Sequence, residues 1–585
     1  MPALSDRIEK LLPWVQTPAQ YAGGEVNSVR KAPGDVDVSW CLVFPDTYAI
    51  GTSHLGLRIL YGILNGRDRF AAERGFAPWP DMAAAMREAG VPLFSIESRR
   101  PVREFDVVGF SLQYELCLTN VLECLELAGV PLLAAERSDD DPLIVGGGPV
   151  ALNPEPASDF FDLFCVGEGE EWVVEFSELV ARMKGEPRGE VLRRAAREVS
   201  GTYVPSLYET GEGGARPKSG GVPERIERRV VKDLEGAHFP VRQVVPFVET
   251  VHDRLTVEVT RGCGSGCRFC QAGCCYRPVR HRSVERIVQL AREGYEATGW
   301  DEVGLCSLSI GDYPHLKELM GALNAEFAPL GVSVSVPSLR VGSSLVGLPE
   351  ATSVVRKTGL TIAPEAGSER LRRIVNKRIS NDELFAGVDA AYEAGYDRVK
   401  LYFMIGLPGE TEEDLGRIAD LCNEVAYRRK RIAKGPAKVS VTVSPFVPKP
   451  HTPFQWEEAV EPEELRSRNR LIVGALRSRT VRVHFTDPLL SRLEAVFARG
   501  DRALGAAVLE AHRLGCRFDA WSEHFRPELW DEAFGRAGVA PGDYARARRD
   551  DEVMPWDHIA GGMNRSALER ERDAARAAAS TAGTD

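Results

Sequence analysis

No run of apolar residues in this 585-residue chain approaches the ~20 needed to cross a bilayer, so the sequence predicts no membrane span. A secretory leader is missing too: Met1-Pro2-Ala3-Leu4-Ser5-Asp6-Arg7 has no apolar core, which predicts a cytoplasmic protein. Basic excess is absent. A net charge of −12 argues against a general nucleic-acid coat, although it leaves room for one local basic mouth. There is no short-period repeat, and low complexity is confined to the Ala/Arg/Glu-rich end, 568–585, expected to be a frayed, dispensable helix and disordered tail. Cysteine is sparse, 12 in 585, which excludes a disulfide scaffold; five of the twelve crowd between 263 and 275, as metal ligands would.

What is present is a long alternation of strand-like and helix-like segments, enough for about three or four domains. After a short amphipathic helix at 5–15, strands at 36–44, 106–112, 143–147 and 163–166 each end in small or turn residues and alternate with helices at 55–64, 82–89 and 120–128. That pattern predicts a doubly wound parallel sheet, with its ligand site at the strand carboxyl ends. Residues 211–221, rich in glycine and charge, mark an exposed boundary. Six more units follow, with strands at 255–259, 302–308, 332–336, 360–364, 398–405 and 438–444 and a weak helical segment near Leu345; they predict a partial (β/α)6 barrel. A strand at 481–485 and three helices complete a mainly helical extension. The expected division is therefore α/β throughout: 1–205 doubly wound, 206–250 linker, 251–480 barrel, 481–560 extension and 561–585 tail.

The chemistry concentrates in Thr260-Arg261-Gly262-Cys263-Gly264-Ser265-Gly266-Cys267-Arg268-Phe269-Cys270-Gln271. Three thiolates at Cys-x3-Cys-x2-Cys can hold three irons of a 4Fe-4S cluster and leave the fourth open for a small molecule. Zinc would want a fourth ligand at a paired spacing, and Cys274, Cys275 and His281 form no second such pair. The spacing resembles the radical S-adenosylmethionine (SAM) superfamily. The resemblance implies that Cys263, Cys267 and Cys270 ligate the cluster, that the open iron chelates SAM, that reduction yields a 5′-deoxyadenosyl radical, and that Phe269 lies beside the adenine.

At later strand ends the resemblance implies further SAM contacts: Asp312 for the ammonium, Ser338 and Arg340 for ribose and carboxylate, Glu365 for ribose or ammonium, and the turn at Gly406 for the adenine. Each is equally at home as a turn or cap residue. The first domain is similar to cobalamin-binding domains, which carry Asp-x-His-x-x-Gly, Ser-x-Leu and Gly-Gly at successive strand ends. This chain has Asp46-x-Tyr48-x-x-Gly51, then Ser111-Leu112, then Gly146-Gly147, so tyrosine replaces the histidine that ligates cobalt. His54 is a substitute ligand on paper, but a lone histidine entering a helix is more often structural.

The order of these motifs, with the closing Pro555-Trp556-Asp557-His558-Ile559, resembles the bacterial radical SAM family that has a cobalamin-binding-like N-terminal domain. The resemblance implies an enzyme that cleaves SAM, with methyl transfer from cobalamin as one outcome, a flavodoxin or ferredoxin as reductant, and no named substrate. Arginine runs at 277–282 and 370–378 would favour an anionic one, RNA included, if they flank the barrel mouth. The alternatives are a protein- or RNA-modifying radical SAM enzyme without cobalamin, or an iron-sulfur sensor or assembly protein. A methylthiotransferase is disfavoured because the first domain shows no second three-cysteine site.

Overall fold

The computed structural model describes residues 3–211, 214–336 and 360–581. The first domain is a six-stranded sheet in the order β2-β1-β3-β4-β5-β6. Its strands are β1 (Val38–Phe44), β2 (Phe70–Phe76), β3 (Val107–Ser111), β4 (Leu143–Gly147), β5 (Leu163–Cys165) and β6 (Thr202–Tyr203). All are parallel except β6, which runs antiparallel to β5. Alternation along β1 sends Cys41 and Val43 to one face and Trp40, Leu42 and Phe44 to the other, and both faces are apolar because helices cover both. The chain reverses direction across the sheet between β1 and β3, where doubly wound folds open a ligand crevice.

A hairpin, β7 (Tyr208–Gly211) with β8 (Gly214–Pro217), stands where an open loop was expected. The rest of the linker packs as well: Ile226 pairs with Ile559, and Val231 and Phe239 are buried. The barrel strands are β9 (Leu255–Glu258), β12 (Glu302–Cys306) and β13 (Ser333–Ser335) in one sheet, and β14 (Leu360–Glu365), β15 (Arg398–Ile405), β16 (Lys438–Pro445) and β17 (Val481–Phe485) in another, all parallel. Two short strands, β10 (Thr260–Arg261) and β11 (Arg280–His281), pair antiparallel beside them.

Three expectations need correction. The strand at 481–485 belongs to the barrel sheet, so the barrel runs beyond residue 480 and has a seventh strand. The extension's helices Pro488–Arg499, Leu504–Leu514 and Pro527–Ala537 close one face of the first domain's sheet, burying Leu493, Phe497, Val508 and Phe534 against Val108 and Ile144. And the tail is a packed helix, Arg565–Thr581, in which Leu568, Arg572 and Ala575 lie on one face at helical spacing and are buried. Among the described residues no helix is long and apolar enough to cross a membrane.

Candidate functional site: a cluster loop facing an interdomain cavity

The cluster loop leaves β9 and is closed at its base by the β10–β11 pairing of Thr260 with His281 and Arg261 with Arg280. Gly262 turns the chain at φ +90°, where a Cβ would lie 2.4 Å from the Tyr276 carbonyl oxygen, so only glycine fits. Backbone N–H groups already point at the sulfurs: Ser265 N donates to Cys263 Sγ at 3.5 Å and Gly273 N to Cys270 Sγ at 3.3 Å. Burial pushes the Cys267 thiol up to about 11 while the Lys377 ammonium nearby pulls the other way. Three soft donors on one loop, with N–H groups and a cation able to hold their thiolate charge, fit a 4Fe-4S cluster with one open iron. Cys274 and Cys275 do not join them. Both are packed with Leu152 in an apolar cluster, and burial holds the Cys274 thiol up at about 12.

Two other strand ends converge on this loop. Asp312 accepts from Ser309 Oγ at 2.8 Å and from Ser265 Oγ, inside the cluster loop, at 3.4 Å. Glu365 sits where the β14 register breaks, at φ +69°, and pairs with Lys377 at 3.3 Å. A non-glycine residue in that region is strained, and such strain gathers at binding sites. Phe269 packs against the apolar cluster that holds Ala575 of the C-terminal helix, and Arg268 pairs with Glu571 of that helix at 3.1 Å. The C-terminal helix, expected to be a loose tail, therefore holds the cluster loop from outside. Gly406 forms a left-handed turn, φ +82°, and its N–H is taken at 2.9 Å by Glu410, whose carboxyl burial raises to about 6. Ser338 and Arg340 lie outside the described residues, as does the segment near Leu345.

Across from the loop lies a cavity of about 460 Å³ between the first domain and the barrel. Its floor is the carboxyl edge of the first sheet, with Ser111, Gln113, Gly147 and Gly148; apolar walls include Trp40, Ile59 and Trp172; Thr260, Arg261, Gly262 and Cys306 bring it to the base of the cluster loop. Of the adjacent glycines, Gly147 opens onto the cavity, with nothing nearer than 3.8 Å to an added Cβ, whereas Gly146 packs: a Cβ there would meet the Phe164 ring at 2.6 Å.

The first motif is corrected more fully. Tyr48 is buried with its hydroxyl donating to Glu25 at 2.9 Å, and Asp46 accepts from the Trp521 indole at 3.1 Å, so both turn away from the cavity. His54 lines the cavity instead. Its Nδ1 accepts the Leu57 N–H at 3.1 Å, which leaves the proton on Nε2, and burial pushes its pKa down to about 4. The ring is a neutral donor there, whereas a metal-bound imidazole normally donates from its other nitrogen.

Sequence reasoning also missed Glu168 and Glu170, which end β5 in Gly167-Glu168-Gly169-Glu170. Arg280 grips Glu168 with two bonds of 2.8 Å, and Arg261 reaches Glu170 at 2.6 Å. Burial tends to raise the Glu168 carboxyl, but Arg280 and Arg261 overcome it and hold it below the usual range. These pairs lock the first domain to the base of the cluster loop. The available signal was an acid-rich glycine turn at a strand end opposite an arginine-rich loop exit. Arg280 and Arg282 are buried, and Arg370 and Arg372 are bonded to Asp414 and to the Ile379 carbonyl, so these arginines do not flank an open mouth.

Two family models match the chain: radical SAM proteins, N-terminal, over residues 56–205, and the radical SAM superfamily over 257–422. Its barrel carries a radical SAM domain. The chain is an enzyme of that class, using a 4Fe-4S cluster and SAM, and it needs a reductant. An uncharacterized protein of Methanocaldococcus jannaschii is 28% identical over 466 residues, 79% of this chain and 89% of that protein. The ribosomal protein uS12 methylthiotransferase RimO of Thermotoga petrophila is 25% identical over 181 residues, 29% of this chain and 41% of its own length. The chain thus spans under half of that curated relative. Among solved structures, the radical S-adenosylmethionine methyltransferase TsrM from Kitasatospora setae, with cobalamin and a 4Fe-4S cluster bound, matches with TM-score 0.49 and 13% identity over 93% of this chain and 99% of that one.

Proposed function

We propose that this protein is a cobalamin-binding radical SAM methyltransferase whose corrinoid occupies the interdomain cavity. The observation that carries the reading is the cavity's position: one wall is Ser111, Gly147 and Gly148 at the strand ends of the first sheet, the other is Thr260 to Gly262 at the root of the cluster loop. A broad apolar chamber floored by glycines fits a flat macrocycle, which needs wide walls and close backbone approach. Tyr48 is turned inward and His54 presents an N–H, so neither offers a ligand nitrogen to the metal, and the corrinoid would be held by shape and by the donors Ser111, Gln113 and His54.

Bound cobalamin supplies a methyl group, and the cluster with SAM supplies a radical able to remove hydrogen from an unreactive carbon. The chain's own part is placement. Cys263, Cys267 and Cys270 hold the cluster, Asp312 and Glu365 offer carboxylates for the SAM ammonium and ribose, and Phe269 and the Gly406 turn border the adenine. The Glu168–Arg280 and Glu170–Arg261 pairs keep the two cofactor walls at a fixed distance and exclude water from between them. A cytoplasmic flavodoxin or ferredoxin is the proposed electron donor. Among the described residues the four first-domain cysteines, Cys41, Cys117, Cys124 and Cys165, are all buried within packed cores and gather into no second cluster site, which disfavours methylthio transfer.

The test is anaerobic reconstitution followed by SAM and dithionite. Formation of 5′-deoxyadenosine is expected; a full cluster without it would sink the radical reading. Purification after growth with hydroxocobalamin should give a corrinoid spectrum, and iron-sulfur absorption alone would remove cobalamin.

A further inference from the structure

The two halves of the barrel present different charges to its interior. Along β15 the outward residues Val399, Leu401, Phe403 and Ile405 pack on the surrounding helices, so the alternate set Arg398, Lys400, Tyr402 and Met404 faces inward. The neighbouring strands continue the same rows: Arg398 lies opposite Lys438, Lys400 opposite Ser440 and then Arg482, and Tyr402 opposite Thr442 and then His484. This inner face thus carries four cations, an imidazole and several hydroxyls. Arg398, Lys400, Lys438, Arg482 and His484 are all exposed.

The other half is built differently. Its inward carboxylates, Glu258 on β9 and Glu302 on β12, are each held by an arginine, Arg261 at 3.0 Å and Arg254 at 2.8 Å. Among the described residues, none of the four cations on the β15–β17 face has a carboxylate partner. Cations set directly opposite one another on a sheet repel, as Arg398 and Lys438 do, and this chain carries a net charge of −12, so acids to neutralise them were plentiful.

We infer that this face is the substrate's binding wall and that the substrate carries an oxyanion group, phosphate or carboxylate, held by Lys400 and Arg482 with Ser440 between them. Arginine and lysine both make short charge-assisted bonds to such groups. Tyr402, Thr442 and His484, one row nearer the strand carboxyl ends, bond the body of the molecule. The reacting carbon then lies toward the rim of Met404 and the Ser444–Thr486 pair, the end from which the cluster loop rises.

The inference rests on the radical SAM reading for which end of the substrate reacts. Reconstituted full-length protein is titrated calorimetrically with pyrophosphate and, separately, with citrate, at constant ionic strength. Three proteins are compared: wild type, Lys400→Gln/Arg482→Gln, and a control with two outer-face cations removed, Lys430→Gln/Arg431→Gln. Binding of at least one probe by wild type, weakened about tenfold or more in the first variant and unchanged in the control, is the expected result. Pyrophosphate alone identifies a phosphate-bearing substrate and citrate alone a carboxylate-bearing one. No binding to wild type, or equal loss in both variants, overturns the inference. Deoxyadenosine formation by the wild-type protein reports separately on the radical reading.

Discussion

Two loops at strand carboxyl ends carry the most distinctive motifs in this chain, and they fold in opposite senses. The loop of Cys263, Cys267 and Cys270 displays its motif, with backbone N–H groups already directed at two of the sulfurs. The loop of Asp46 and Tyr48 hides its motif in the core and gives the cavity a different residue, His54, with the wrong tautomer for a ligand. The difference is one of range. The cluster motif depends on its own backbone and needs little from elsewhere, whereas the orientation of Tyr48 depends on Glu25 and that of Asp46 on Trp521, partners 23 and 475 residues away.

The contrast breaks most completely at the cysteines. Cys267→Ala should abolish the cluster's charge-transfer absorption and take deoxyadenosine formation to background, while Cys274→Ala, four residues beyond the last ligand, should keep both. Equal loss in the two variants would mean the ligand set is misread. A smaller effect is expected from ending the chain at Asn564, which removes the helix that pairs with Arg268 and shares an apolar cluster with Phe269. Iron retained per chain should fall severalfold and bleaching in air should quicken; an unaffected cluster would restore the view that this end is dispensable.

Smaller still is the expected cost of Gly146→Ala, where the Phe164 ring must move: about 1–3 kcal/mol by chemical denaturation. Glu410 gives a pH-dependent term. Burial holds its folded-state pKa at about 6, above the 4.5 of a free glutamate, so its stabilising contribution is complete below about 4.5 and is lost as pH rises through 6. Against Glu410→Gln, the wild-type advantage should shrink by up to about 2 kcal/mol across that window, and a flat difference would mean the carboxyl is not desolvated.

The sequence showed the fold class well because alternation of short apolar strands with amphipathic helices is a local signal. Ser111 and Gly147 follow from the resemblance to cobalamin-binding motifs, which puts them at predicted strand ends, and both line the cavity. The seventh barrel strand was recognised as a strand, but its partner β16 depends on sheet order, which no local pattern encodes. The C-terminal helix was misjudged on composition. Its alanines and arginines average to a polar segment, yet Leu568, Arg572 and Ala575 share one buried face, and the Arg572 guanidinium stacks 4.8 Å over the Trp456 ring. Glu168 and Glu170 escaped notice because their role exists only once two domains meet.

The central claim is that one cavity joins a corrinoid wall to the cluster loop, and Gly147 addresses it directly. Its Cβ position opens onto that cavity, so Gly147→Leu should fold normally yet fill the floor. The measurement is corrinoid per chain, read from the absorption spectrum after growth with hydroxocobalamin, for wild type and Gly147→Leu side by side. The account predicts close to one corrinoid per wild-type chain and little in the variant, with the iron-sulfur absorption equal in both. Equal corrinoid in the two proteins, or none in either, would contradict it.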